Sequence, residues 1–308
     1  MARGDFILTL LASRLTADIQ AQVAALVAQF DVQEKSAQRL ADVSLDADYF
    51  DCIEQRLVGD KVDIELMRKA ALALGETLGV DIVIQEDVRD HVRSRLVCFD
   101  MDSTLIKTEV IDELARRHGV GEEVAEVTER AMRGELDFKA SFRERMSKLA
   151  GLDESVLAEI AEELPLMEGV ERLMANLKRL GYRTAILSGG FTYFARRLQD
   201  QLGFDEIHAN ELVIENGKVT GEVREPIVDA ERKAELLEVI ALREGFTLAQ
   251  TIAVGDGAND LKMLAKAGMG IAFRAKPVVR AQARQAISTL GIDAVLYLIG
   301  DGQHDVTP

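Results

Sequence analysis

The sequence predicts an α/β fold: a parallel sheet covered by helices on both faces and carrying an inserted helical cap, preceded by a ferredoxin-like βαββαβ domain. Three observations predict it. From residue 96 onward, short apolar runs alternate with helical segments, the pattern of strands buried under helices on both faces. Three of those runs, 96–99, 184–187 and 251–254, each lead into a polar stretch: DMDST, SGGF and GDGAND. Ahead of them, the first 88 residues follow the order strand, helix, strand, strand, helix, strand.

Each element has a local reason. Residues 6–11 (FILTLL) are a strand candidate, and Thr16 can cap a helix whose apolar Ile19, Val23, Leu26 and Val27 recur with the 3.6 period. Strands are expected around 32–40 and 49–57, a helix over 64–78 and a closing strand over 80–85. The charged joint VRDHVRSR (88–95) sets the expected boundary: a first domain over 1–88, a linker over 89–95 and a second domain over 96–301. Between the first two strands of that second domain, 109–164 is rich in Glu, Ala, Arg and Met and has no proline. It reads as several short helices forming a cap over the strand ends, where long insertions act as lids that exclude water. Asn216-Gly217 between alternating segments predicts a hairpin within 207–223, and 302–308 reads as a frayed tail.

Composition narrows the function. A chain of 308 residues is long enough for two domains with separate cores. Apolar residues at 48% and charged residues at 29% place it among ordinary globular proteins. A formal net charge of −16 excludes phosphate-backbone binding by the surface as a whole, so no nucleic-acid partner is expected. An anionic small molecule has to be drawn in by a local positive site. Cys52 and Cys98 lie far apart with no metal-ligand spacing and read as small apolar fillers in a reducing compartment. No apolar segment approaches the roughly 18 residues of a membrane helix. The first 15 residues have basic ends around an apolar run, but Asp5 interrupts and no small-residue cleavage site follows, so they read as a strand rather than a signal peptide. The expected location is the cytoplasm, without a membrane partner.

The chemistry starts at Asp100 and Asp102, two carboxylates just beyond the apolar run 96–99. Charge beside a buried strand needs a partner, and a metal ion suits two nearby acids. The pair suits a nucleophile and a general acid/base, although a plain turn uses the same residue types and inverting hydrolases also use paired carboxylates. In GDGAND, glycines allow close backbone approach, and Asp100, Asp256 and Asp260 together supply the carboxylates Mg²⁺ favours; a capped helix start is the alternative. Ser188-Gly189-Gly190 would open a helix near Phe191 and cradle a phosphate with its hydroxyl and backbone N–H groups, or be an ordinary glycine-rich turn. Lys233, one helical turn from Asp229, could offset negative charge, but spacing alone equally allows a solvated helix lysine. The four histidines form no ligand spacing. Met132, Phe138, Phe142 and Met146 read as helix core, and Glu109 and Arg145 taken singly as solvated charges.

In this order, DMDST, SGGF, Lys233 and GDGAND resemble the four motifs of the haloacid dehalogenase superfamily over roughly residues 95–300, and most nearly its phosphoserine phosphatase family. The resemblance implies a Rossmann-like, haloacid dehalogenase-like sheet. It implies that Asp100 becomes an aspartyl-phosphate, that Asp102 is the proton donor, and that Ser188 and Lys233 hold the phosphate. Mg²⁺ would be held by Asp256, Asp100 and the Asp102 backbone, with Asn259 and Asp260 in support. Glu109 and Arg145 match the family's substrate-recognising Glu and cap Arg: one for an ammonium group, the other bidentate for a carboxylate. AMRGELDFKASFRERM resembles the family's cap lining, which puts Met132 and Phe138 near the substrate, beside Ser188, Gly189 and Asn259. The first domain is similar to ACT-type regulatory domains, but the loop Ala12-Ser13-Arg14-Leu15-Thr16 lacks the Gly or Pro turn that usually receives an amino acid.

The expected function is therefore Mg²⁺-dependent hydrolysis of O-phospho-L-serine to L-serine and phosphate, the last step of serine synthesis, with the first domain able to pair with a second copy. A phosphatase for phosphohomoserine or a phospho-sugar is the enzyme rival; a sugar offers no zwitterion for Glu109 and Arg145. An amino-acid sensor with an inactive phosphatase half is the other rival, against which the intact set Asp100, Asp102, Lys233 and Asp256 argues.

Overall fold

The computed structural model describes residues 3–42, 50–89 and 91–299. The tail expected at 302–308, the last two residues of the expected second domain and residue 49 of an expected strand lie outside the described residues. The chain begins with β1 (Arg3–Ala12), α1 (Ala17–Val27), β2 (Val32–Ala41), β3 (Asp51–Asp60), α2 (Ile64–Leu78) and β4 (Asp81–Glu86), whose strands form an antiparallel sheet in the order β2-β3-β1-β4. Thr16 caps α1 by accepting from Ile19 N at 3.2 Å, and Asp63 caps α2 by accepting from Leu66 N at 3.0 Å. Gly79, at φ 68°, ends α2 in the left-handed conformation open to glycine.

Alternation along β1 decides what each face buries. Phe6, Leu8 and Leu10 pack under the two helices with Met67 and Ile84. Leu11, Cys52 and Val83 join the main core of the second sheet, where Phe50 meets Tyr297 edge-on at 5.1 Å between ring centres. The first sheet is thus docked on the rest of the chain. Burial pushes both the Cys52 and Cys98 thiols up, as befits apolar fillers.

Next come β5 (Leu96–Phe99), α3 (Val110–His118), α4 (Gly121–Met132), α5 (Phe138–Lys148), α6 (Ser155–Glu163), α7 (Val170–Arg179), β6 (Arg183–Phe191), α8 (Thr192–Leu202) and β7 (Glu206–Asn210). They are followed by β8 (Leu212–Glu215), β9 (Lys218–Val223), α9 (Ala230–Arg243), β10 (Thr251–Gly255), α10 (Leu261–Lys266), β11 (Met269–Phe273), α11 (Pro277–Arg280) and β12 (Gln285–Ile287). Six strands form a parallel sheet in the order β12-β11-β10-β5-β6-β7. The chain runs outward from β5 through β6 and β7, then returns to β10 on its other side. The crevice beyond the carboxyl ends of β5 and β10 is therefore the switch point where ligands of such sheets bind.

Helices α3 to α6 make the cap. Its two connections run side by side: Lys107 N donates to Pro165 O and Met167 N to Leu105 O, both at 2.9 Å. One expectation needs correction. SGGF is strand rather than turn: β6 stays extended through Phe191, and the helix expected near Phe191 follows directly as α8 at Thr192. Gly190 N turns back to Ser188 Oγ at 2.9 Å while Phe191 keeps its pairing with Asn210, so the stretch remains strand with an irregular register. The hairpin expected within 207–223 is β8–β9, after 206–210 has joined the large sheet as β7. Its turn is as expected, with Asn216 at φ 52° and Gly217 at φ 74°. The β8–β9 hairpin lies against the cap: Val219 N donates to Leu152 O and Gly151 N to Val219 O, both at 2.8 Å. No helix among the described residues is long and apolar enough to cross a membrane.

Candidate active site

Strand β5 is fully buried and delivers Asp100 to the crevice, where Asp100 N still donates to Val254 O at 2.9 Å. The chain then turns sharply: Leu105 N returns to Met101 O at 2.8 Å, and Ser103 takes φ 57°. That departure from extended geometry lets both acids of DMDST reach one cavity. Asp102 Oδ1 accepts from Val110 N at the start of α3, at 3.2 Å. A Cβ built on Gly190 would stand 2.5 Å from Asp102 Oδ2 and 3.1 Å from Ser188 Oγ, so the backbone there passes directly beneath both side chains. Only glycine allows that approach.

Lys233 is the centre of the arrangement. It is 0% exposed, and its Nζ donates to Asp100 Oδ1 and to Asp260 Oδ1, each at 2.7 Å. The solvated lysine that spacing alone allowed is ruled out. Asp260 is completely held, since its Oδ2 also accepts from Gly257 N at 2.9 Å. Asp256 accepts from Thr104 Oγ1 at 3.3 Å. Carboxylate oxygens of Asp100, Asp256 and Asp260 lie within 4.8 Å of one another.

One ammonium for three clustered carboxylates leaves buried negative charge uncompensated. Burial, joined by Asp260, pushes Asp100 up to about 7 against the pull of Lys233. Burial with Asp100, Asp260 and Glu109 pushes Asp256 up to about 8. Asp102 is raised by burial, then by Glu109 and Asp100. An oxygen-only acidic cluster, with Asp256 half-buried, fits a divalent cation such as Mg²⁺.

The cap brings a second group of side chains. Glu109 Oε1 accepts from Ser103 Oγ at 2.7 Å. Arg145 is largely buried near the end of α5; its Nε has no hydrogen-bond partner, and the charges of Glu109 and Asp112 face it while burial lowers its pKa. Phe138 stacks on Phe142 and lies across Gly189, whose added Cβ would meet its ring at 3.3 Å. Asn259 stays beside Gly257 in the short turn Ala258–Asp260. Met132 stands at the end of α4, 72% exposed.

Asp100, Asp102, Ser188, Gly189, Lys233, Asp256 and Asp260, spread along the sequence, thus meet at one end of the sheet. Two residues of the site are not among those the sequence singles out. Thr104, last of DMDST and fully buried, holds Asp256; its place in the motif is the signal that could have found it. Asn210 holds the Gly189 carbonyl and carries no sequence signal.

Residues 94–268 match the family model of haloacid dehalogenase-like hydrolases. The chain is 44% identical to a phosphoserine phosphatase of Streptomyces coelicolor over 303 residues, 98% of this chain and 72% of that protein. In structure it is similar to a family hydrolase from Salmonella enterica serovar Typhi, with TM-score 0.83, 29% identity, and 96% and 99% of the two chains covered. It is also similar to a probable phosphoserine phosphatase from Vibrio cholerae, with TM-score 0.77, 35% identity, and 98% and 89% covered.

Proposed function

The chain belongs to the phosphoserine phosphatases of the haloacid dehalogenase-like hydrolases, a family of phosphatase enzymes, and on that footing we propose that it hydrolyses O-phospho-L-serine to L-serine and phosphate, with Mg²⁺ and through an aspartyl-phosphate on Asp100. The observation that carries the reading is Lys233, buried and clamped between Asp100 and Asp260 beside a third acid. Such a centre is poised to receive a phosphoryl group and a cation rather than to stabilise a fold.

Mg²⁺, held by Asp100, Asp256 and the Asp102 backbone with Asp260 in support, supplies positive charge that offsets the crowded carboxylates and the phosphoryl oxygens. Ser188, the Gly189 backbone and Lys233 hold the phosphoryl oxygens. The Asp100 carboxylate attacks phosphorus, forming a new P–O bond as the ester P–O bond breaks. Asp102, whose pKa burial raises, gives a proton to the departing serine oxygen. Water then attacks the phosphorus of the acyl phosphate; Asp102 takes its proton, and phosphate leaves with Asp100 restored.

Glu109 takes the substrate ammonium group and Arg145 its carboxylate, with Phe138, Met132 and Asn259 lining the closed site. The unpartnered Arg145 Nε, buried against solvent, supports a carboxylate ligand in place of water. Residues 1–88 serve as an ACT-like domain joined through 89–95 to a catalytic domain over 96–301, with the cap inserted at about 109–164. Strand β2, an exposed sheet edge, supports pairing with a second copy. The place in metabolism is the last step of serine biosynthesis, in the cytoplasm. Phosphate release from phosphoserine, phosphothreonine and sugar phosphates, with Mg²⁺ and with a chelator, tests the reading. Phosphoserine is expected to be the best substrate and chelation to stop turnover; a preferred sugar phosphate would overturn the substrate assignment.

A further inference from the structure

The β8–β9 hairpin leaves the large sheet at Asn210, and the chain returns at Val228. Between them one buried amide closes the gap. Asn210 Nδ2 donates to Gly189 O at 2.8 Å, and its Oδ1 accepts from Val228 N at 2.9 Å. Gly189 follows Ser188 on the end of β6. Val228 immediately precedes Asp229, which caps α9 by accepting from Arg232 N at 2.9 Å. Helix α9 carries Lys233 one turn later. A planar amide that donates on one side and accepts on the other fixes the spacing of two backbone segments, which no apolar group can do.

The same segments bear the cap. The hairpin that starts beyond Asn210 takes backbone hydrogen bonds from the α5–α6 connection, including Glu154 N to Gly217 O at 2.9 Å. On the return, Lys139 of α5 pairs with Asp229 at 3.3 Å, and Arg143 pairs with Glu225. The Phe138 ring meets Gly189 itself. Asn210 therefore sits at the foot of the hairpin, where the support of the cap joins the strand of Ser188 to the helix of Lys233.

We propose that Asn210 is a positioning residue: it sets the distance between the Ser188–Gly189 strand end and Lys233, and through it the seating of the cap acts on phosphate binding. The inference rests on the reading that Ser188 and Lys233 hold the phosphoryl group. A merely structural amide would change stability and nothing else.

The test uses the full chain with Mg²⁺ and the variants Asn210→Ala and Asn210→Asp. Thermal unfolding, kcat and KM on phosphoserine and on para-nitrophenyl phosphate, and the inhibition constant of inorganic phosphate are measured. With both hydrogen bonds lost, the KM values and the phosphate inhibition constant are expected to rise about tenfold or more. Asn210→Asp keeps the acceptor for Val228 N but turns a carboxylate toward Gly189 O, so it is expected to be no better than Ala. Phosphate inhibition within about twofold of the parent, with only a lower melting temperature, would overturn the proposal. Should Asn210→Ala not fold, Asn210→Ser gives the same readout. A parent that turns over para-nitrophenyl phosphate but not phosphoserine loses the substrate assignment alone, because phosphate inhibition still decides Asn210. A parent that inorganic phosphate does not inhibit overturns the proposal.

Discussion

In the first sheet, Glu54 lies buried against Arg89, which reaches its two oxygens at 2.8 and 3.2 Å. Asp51 accepts from Leu15 N at 2.7 Å and from Arg39 at 3.1 Å. Asp81 accepts from Ser288 N, Thr289 N and Thr289 Oγ1 at 2.8, 3.0 and 2.7 Å, which ties the first sheet to the edge of the second. At the ends of β5 and β10, by contrast, Asp100 and Asp260 share one lysine, with Asp256 crowded beside them. Both regions bury acids, but in the first each stands apart with a donor on every oxygen, whereas in the second three carboxylates crowd together around one ammonium. Matched burial is architecture, because every oxygen has a donor and the residues can do nothing further. Unmatched burial persists only where something else brings the missing positive charge.

Four substitutions put that contrast at risk. Asp100→Asn removes the nucleophile and one of the crowded charges. Its turnover on phosphoserine is expected to fall about 10⁴-fold or more, while chelator-treated protein unfolds no earlier than the parent. Residual turnover of several per cent would mean that Asp100 is not attacked and regenerated in each cycle.

Lys233→Met leaves three acids with no internal cation. Unfolding of the chelated protein is expected to become easier by about 3–5 kcal/mol, with a large part regained when Mg²⁺ is added. Identical melting with and without Mg²⁺ would show that the cluster does not hold the ion in this fold.

For Arg145→Ala the loss is expected in the specificity constant for phosphoserine, about 2–5 kcal/mol, because a desolvated charge-assisted pair is broken. Para-nitrophenyl phosphate, which has no carboxylate, should lose far less. Equal losses on the two esters would reduce Arg145 to holding the cap together.

The smallest effect belongs to the matched region. Arg89→Ala should leave turnover within about twofold and cost about 1–3 kcal/mol of stability, read by denaturant unfolding, since Glu54 loses the guanidinium that donates to both its oxygens. A large loss of turnover would join the first sheet to the chemistry and erase the contrast.

Much of the fold is legible in the amino-acid sequence. Helix α2 runs over the expected 64–78, and α1 follows Thr16 with the 3.6-period apolar residues behind it, because period and capping are settled within one or two turns of chain. DMDST and GDGAND are legible for a similar reason: acids and glycines beyond apolar strands are costly unless they serve a ligand. SGGF is not. Two glycines read as a turn, but the pairing of Phe191 with Asn210 on a neighbouring strand keeps the segment extended, and no local rule anticipates that partner. The short strands β11 and β12 carry no clear local signal because they are held by the sheet around them.

The set of elements and the residue types at the strand ends follow from the chain alone, since these depend on the periodicity and backbone preferences of sequence neighbours. Which of those residues act together is settled only by tertiary contact. Lys233 could have been any solvated helix lysine. Its role depends on meeting Asp100, 133 positions away, and Asp260, 27 positions away, inside a crevice that excludes water. Asn210 is an ordinary strand residue until the return of the hairpin sets Val228 opposite Gly189. Electrostatic strength and hydrogen-bond geometry both depend on distance in space and on burial, and neither is a property of spacing along the chain.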